Sequence, residues 1–199
     1  MQVQNPLDPL IDQLTKLPGI GPKAAQRLAF FFLSLPAQEI QAFSDTLVTT
    51  KKTVRYCQTC FNLSLGPLCN ICQDSSRERS VLCIVAQPRD ILAVEKTRFF
   101  RGGYHVLGGL LSPIDGIYPE GLRIRELEVR LRDTGLKEII LAINPTIEGD
   151  ATSLFLVNLL KPYTIPVSKL AYGLPVGSDM DYADEMTLQK AFQGRTKYE

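Results

Sequence analysis

Four of the five cysteines in this chain are spaced as Cys57-x2-Cys60-x8-Cys69-x2-Cys72. Each Cys-x-x-Cys pair sets two thiolates on one side of a tight knuckle, and two knuckles close a tetrahedral zinc site with no open position. The segment around them is rich in Asn, Gly and Pro and has too little apolar content for a core of its own, so bound metal has to supply much of its folding free energy. A disulfide pair and an iron–sulfur cluster are the other uses of such cysteines. A reducing compartment disfavours the first, and the paired knuckle spacing suits the second less well. The expectation is a structural Zn2+ held by Cys57, Cys60, Cys69 and Cys72. The fifth cysteine, Cys83, stands inside "VLCIVA" and reads as a buried strand residue.

Upstream of the cysteines the pattern is helical throughout. Leu7, Leu10, Ile11, Leu14 and Leu17 recur at helical spacing until Pro18 interrupts them. A second helix is expected from about Pro22 to Ser34, and a third from about Pro36 to Lys52 with Ile40, Phe43 and Leu47 on one face. Between the first two lies "LPGIGPKAAQRLAFFFL". Gly19 and Gly21 permit a tight turn with positive φ, Ile20 can anchor it, and Pro22 suits the first helical position. Glycine amides approach a phosphate closely, and the following helix N-terminus aims partial positive charge at it, with Lys23 and Arg27 on one face of that helix. This pattern resembles the helix-hairpin-helix motif, used for sequence-independent contact with the DNA backbone. A plain helix–helix connection that needs two glycines is the alternative. In the same helix "LAFFFL" is apolar at every position, which a helical region this small does not cover alone; a subunit interface is expected there.

Downstream, strand-like and helical runs alternate: "VLCIVA", "PRDILAVEK", "YHVLGG", "RIRELEVRLRDTG", "EIILAI", "GDATSLFLVNLLK" and "IPVSKLAYG". Such alternation implies a mostly parallel sheet covered by helices. The remaining stretch carries one helix around Asp184 to Phe192 and otherwise reads as an arm.

Composition excludes little. Charged residues balance to +1, so any nucleic-acid footprint must come from local clustering of Lys and Arg. From Gln13 to Gln38 there are three basic residues and no acid, whereas Asp179, Asp181, Asp184 and Glu185 occupy a stretch without Lys or Arg. No apolar run is long enough to span a bilayer, and "MQVQNPLDPL" lacks the features of a signal peptide, so a cytoplasmic protein without membrane contact is expected. The only histidine, His105, lies in a strand-like run and suits a buried, hydrogen-bonded role. No Ser-His-Asp arrangement or phosphate-cradling Lys-Ser/Thr loop is visible.

Taken in order, the hairpin, the four-cysteine knuckle, "FRGGYHVLGGLLSPIDGIYPEGLRIRELEVRL", "IILAINPTIEGDATSLFLVNLL" and "AYGLPVGSDMDYADEMTLQKAFQGR" closely resemble the RecR family of bacterial recombination mediators across essentially the whole chain. That resemblance implies a multidomain α/β chain. Its expected parts are a helix-hairpin-helix DNA-binding region (1–54), a four-cysteine zinc finger (55–76), a Toprim domain with a mostly parallel sheet (77–174) and a C-terminal arm for oligomer contacts (175–199). Toprim enzymes place a glutamate after the first strand and an Asp-x-Asp-type pair after a later one, which together bind Mg2+ and handle a phosphodiester. Here the later pair matches Glu148 and Asp150, but the first position corresponds to Ala86, and Glu95 lies on a helical face instead of a strand tip. The resemblance therefore implies a non-catalytic DNA-repair protein. It would contact DNA through Gly19, Ile20, Gly21, Lys23 and Arg27, and meet partner proteins through Glu148 and Asp150. It would act with RecO and RecF to help load RecA, as a ring-like homo-oligomer, dimer or tetramer, around DNA. The competing expectation is a Mg2+-dependent Toprim-class nuclease or primase.

Overall fold

The computed structural model describes residues 5–132 and 135–197. The chain divides into two compact units, Met1–Val54 and Arg55–Glu199. The first is helical, with α1 (Asp8–Thr15), α2 (Pro22–Ser34) and α3 (Ala37–Thr53). Pro22 opens α2, where its missing N–H costs nothing, and Pro36 stands at the N-cap of α3, so the prolines punctuate the helices as the sequence requires. Within this unit Ala25 and Ala29 are fully buried, small side chains that let α1 and α2 approach. By contrast Phe30, Phe31 and Leu33 of the "LAFFFL" run are 54%, 55% and 68% exposed.

The second unit begins with a two-stranded antiparallel ribbon, β1 (Arg55–Tyr56) and β2 (Leu63–Ser64), followed by the short α4 (Asn70–Gln73). A four-stranded parallel sheet follows, built from β3 (Glu78–Val85), β4 (Gly102–Val106), β5 (Glu138–Ala142) and β6 (Val167–Lys169) in the order β4-β3-β5-β6. Connecting helices are α5 (Pro88–Lys96), α6 (Ile124–Leu131) and α7 (Ile147–Leu160), and α8 (Glu185–Gln193) lies in the arm.

Parallel strands are covered on both faces, and β3 makes this explicit. Its Leu82 and Ile84 join Leu127, Ile139, Leu141, Leu156 and Leu160 in one core, whereas the alternate residues Cys83 and Val85 point into a second core with Ile91, Tyr104 and Val106. Three of the four spaced cysteines, Cys57, Cys60 and Cys69, are buried in that second core. The knuckle segment is thus part of the layer that covers one face of the sheet, and the edge strand is tied to it: the Val106 N–H donates to the Cys60 carbonyl at 2.9 Å. Full burial of residues such as Ile91 and Val85 contributes roughly 1.5–3 kcal/mol each, so the knuckle and the sheet stabilise each other. Cys83 is buried and unpaired as expected, its thiol pushed up to about 12 by that burial.

Candidate functional site

The four spaced cysteines converge. Their sulfur atoms all lie within 4.8 Å of one another, with Cys60 and Cys69 at 3.5 Å. A tetrahedral zinc with bonds of roughly 2.3 Å places its sulfurs about 3.8 Å apart, so the spacing matches. The first knuckle is closed by the Phe61 N–H to the Cys57 carbonyl at 3.0 Å, with Phe61 in the left-handed region at φ 63°. In the second, Cys69 stands at the N-cap of α4 and its carbonyl accepts from the Gln73 N–H at 3.0 Å. The thiol chemistry also fits a cation. The Cys60 thiol is held well up by its hydrogen bond to Cys72 and by burial, while Cys72 is drawn down to about 6, first by that same bond. A bound metal cation lets all four ionise together. With four protein ligands and no open position, the zinc these cysteines bind is structural.

Around this centre the sheet supplies supporting contacts that the sequence did not announce. The Arg123 guanidinium lies over the rings of both Tyr56, at 4.8 Å, and Phe61, at 4.2 Å. Phe61 meets the His105 ring edge-on at 5.6 Å. His105 is fully buried, with Nε2 2.9 Å from the Arg123 carbonyl and Nδ1 3.4 Å from an Arg130 nitrogen. That arrangement makes Nδ1 the acceptor and Nε2–H the donor. Burial holds the imidazole down at about 4, so it is neutral and structural, as its sequence position suggested.

The hairpin of the helical unit has a different character. Gly19 adopts φ +79°, and a Cβ there would be strained. Gly21, at φ −82°, is not in the left-handed region, so only one of the two glycines is required by backbone conformation. A Cβ added at Gly21 would meet nothing within 4 Å. What glycine provides at position 21 is open backbone at the N-cap of α2, a helix start without a side-chain cap. The Ile20 N–H closes the turn onto the Leu17 carbonyl at 3.1 Å, and Ile20 is half-buried. Lys23 and Arg27 are exposed and form no ion pair among the described residues.

At the strand tips of the sheet the acidic pair is present, but its two members are in different states. Thr146 caps α7 by accepting from the Gly149 N–H at 3.1 Å, which places Glu148 and Asp150 in the first turn. Gly149 is there because a Cβ would collide with the Asn144 carbonyl. Glu148 is exposed. Asp150 accepts from Lys169 Nζ at 2.7 Å and from the Tyr172 hydroxyl at 3.1 Å, and Lys190 Nζ of α8 lies 3.9 Å from its other oxygen. The hydrogen bond from Lys169 is the main cause that holds the Asp150 carboxyl below its ordinary range. Asp150, Tyr172 and Lys190 line a cleft of about 860 Å³ between the tip of β5, α5 and the arm. Ala86 follows β3, buried, its carbonyl accepting from the Gly108 N–H. Glu95 does not substitute for it. Near the C-terminal end of α5, it pairs with Arg77 and accepts from the Tyr104 hydroxyl at 2.7 Å. Arg77 precedes β3, so this network lies at the opposite end of the strand from Ala86.

Comparison with known proteins bears on every segment. The family model for the RecR helix-hairpin-helix matches residues 7–51, that for the RecR four-cysteine zinc-finger domain residues 54–74, that for the Toprim domain residues 80–171 and that for the RecR C-terminal region residues 173–196. Among curated proteins, the chain is 55% identical to the recombination protein RecR of Prochlorococcus marinus (strain MIT 9313) over 94% of this chain and 98% of that one. It is 52% identical to the namesake from Heliobacterium modesticaldum over 96% of both chains. The namesake from Nocardioides sp. is 53% identical over 94% of both.

Proposed function

This chain belongs to the RecR family of recombination proteins, and on that premise we propose that it is a non-catalytic, DNA-binding recombination mediator. The observation that carries the DNA-binding part is the hairpin: open backbone at Gly19 and Gly21, an uncapped helix start, and exposed Lys23 and Arg27 that form no ion pair among the described residues. A phosphate fits that arrangement without any base being read, so binding is sequence-independent and salt-sensitive. Phosphodiester chemistry is disfavoured by Ala86 in place of a carboxylate and by the lysine ammonium groups on Asp150, which hold the position a divalent ion would need.

Assembly follows from the exposed Phe30, Phe31 and Leu33, an apolar face suited to a second copy. Several hairpins on one ring-like homo-oligomer, dimer or tetramer, raise avidity without new contacts. The ring encircles DNA, acts with RecO and RecF, and helps load RecA. Glu148 is the free carboxylate for a basic partner surface, and Asp150 joins it when a partner displaces its lysines.

Replacing both Lys23 and Arg27 by alanine tests this reading. Duplex affinity should fall, and the slope of log affinity against log salt should flatten by roughly two units, about 0.9 per lost phosphate contact. Glu148→Ala is the matching control, expected to spare DNA binding and weaken capture of RecO. Unchanged DNA binding in the double variant refutes the hairpin assignment.

A further inference from the structure

The segment Lys96–Arg101, "KTRFFR", joins α5 to β4, and its two phenylalanines do opposite things. Phe100 folds into the second core, edge-on to Tyr104 with ring centroids 5.1 Å apart. Phe99 is 90% exposed. Its presentation is held locally. The Phe99 N–H donates to the Thr97 hydroxyl at 3.2 Å, the Thr97 hydroxyl donates to the Val94 carbonyl at 2.7 Å, and Arg98 turns through the left-handed region at φ 55°. A ring whose backbone is already held loses little further backbone entropy when something stacks on it.

Next to the ring in the chain the charge is positive. Lys96, Arg98 and Arg101 are all exposed, and none forms an ion pair among the described residues. The nearby acids are already engaged: Glu95 is held by Arg77 and Tyr104, and Glu78, whose N–H donates to the Arg101 carbonyl, accepts from the Ser80 N–H and hydroxyl. What faces solvent is therefore an aromatic ring flanked in the chain by cations that form no ion pair among the described residues. A polyanion satisfies the cations, and an unstacked base satisfies the ring, since every base offers a π-face. Duplex DNA offers the charge but keeps its bases stacked on one another.

We infer that this loop is a second nucleic-acid contact, specific for single strands, in which Phe99 stacks on a base and Arg98 and Arg101 take the flanking phosphates. It rests on the DNA-binding reading above and adds strand selectivity, which a phosphate-only hairpin does not supply.

The test compares fluorescently labelled oligo(dT) and a blunt duplex by anisotropy. Phe99→Ala, at an exposed position, should weaken oligo(dT) binding about tenfold, within the loss produced by removing one base–aromatic stack, and leave duplex binding little changed. Arg98→Gly, which also relieves the left-handed backbone, should lower the single-strand salt slope by about 0.7. The chain has no tryptophan, so Phe99→Trp installs a sole reporter whose fluorescence should be quenched on adding oligo(dT). Unchanged oligo(dT) affinity in Phe99→Ala, equal loss on both probes, or absence of quenching overturns the inference. If polyglutamate binding falls instead while oligo(dT) binding holds, the surface belongs to an acidic protein and the inference also fails. The Lys23→Ala, Arg27→Ala double variant separates the two readings: normal duplex binding there sinks the hairpin assignment alone, without touching the Phe99 dependence.

Discussion

Two places in this chain look like metal sites when read as sequence, the four cysteines and the Glu148–Asp150 pair, and the fold treats them in opposite ways. At the cysteines, donors from two knuckles converge within 4.8 Å and three of the four are buried. Four thiolates there carry more negative charge than a neighbouring guanidinium such as Arg130 can balance. At the acidic pair the donor set is incomplete and one of its members is already satisfied, since Lys169 and Lys190 bring fixed positive charge to Asp150. A metal site needs a converging set of ligands and also a shortage of positive charge within it. The difference between the two regions is that shortage more than the number of acids or thiols nearby.

The largest effect expected from breaking this contrast is on the cysteine side. Cys57→Ser, or a strong chelator, should abolish stoichiometric zinc and the cooperative unfolding transition of the Arg55–Glu199 unit, because the knuckles share a core with β3 and β4. Metal binding by such segments is worth on the order of 10 kcal/mol or more, against a typical domain stability of about 5–15 kcal/mol. Zinc analysis with near-ultraviolet circular dichroism measures both; a folded, zinc-free unit would show that sheet packing alone suffices.

An intermediate effect concerns divalent ions at the acidic edge. Titration with Mn2+ followed by electron paramagnetic resonance should reveal no tight site in the wild-type chain. Tight binding that disappears in Glu148→Gln would mean that the lysines yield to metal, and the contrast between the two regions would collapse.

The smallest effect is the ion pair itself. The folded Asp150 carboxyl is held below its ordinary range, so its contribution to stability is present above the ordinary carboxylate pKa of about 3.9 and is lost as pH falls through the lowered folded value. Asp150 is partly exposed, with 46% of its side chain accessible, so the pair is worth about 0.2–1 kcal/mol after solvent screening. Urea midpoints at pH 7 and pH 3 should differ by slightly less in Lys169→Met than in the wild type. An equal acid loss in both would show that Lys169 is not what holds the carboxylate.

Much of the fold was legible from local pattern. The helix over Pro22–Ser34 has the expected bounds, and α5 coincides with "PRDILAVEK". The alternation of strands and helices does give a parallel sheet. The spacing of the cysteines predicted their convergence, because two knuckles are nearly complete structures in themselves. Legibility failed where a residue's partner is remote in the chain. Nothing near Asp150 announces Lys169, 19 residues on, or Lys190 in the arm. The stacking of Arg123 on Tyr56 and Phe61 joins segments that only sheet formation brings together. Gly21 is a subtler case: it was expected to share the left-handed turn with Gly19, but the turn consumes only one positive φ and leaves the second glycine as open backbone.

The sequence by itself determined the ligands of the zinc, the hairpin with its two basic residues and the alternation that builds the sheet, since each depends on spacing within a few residues and on fixed backbone periods. Tertiary structure alone decided which charges are free. It left Glu148 open and engaged Asp150, directed Phe100 into the core and Phe99 to solvent, and moved Glu95 to the far end of β3 from Ala86. The reason is physical: a charge is available only if no opposite charge has been folded against it, and that is a property of long-range contacts which no local window of residues contains.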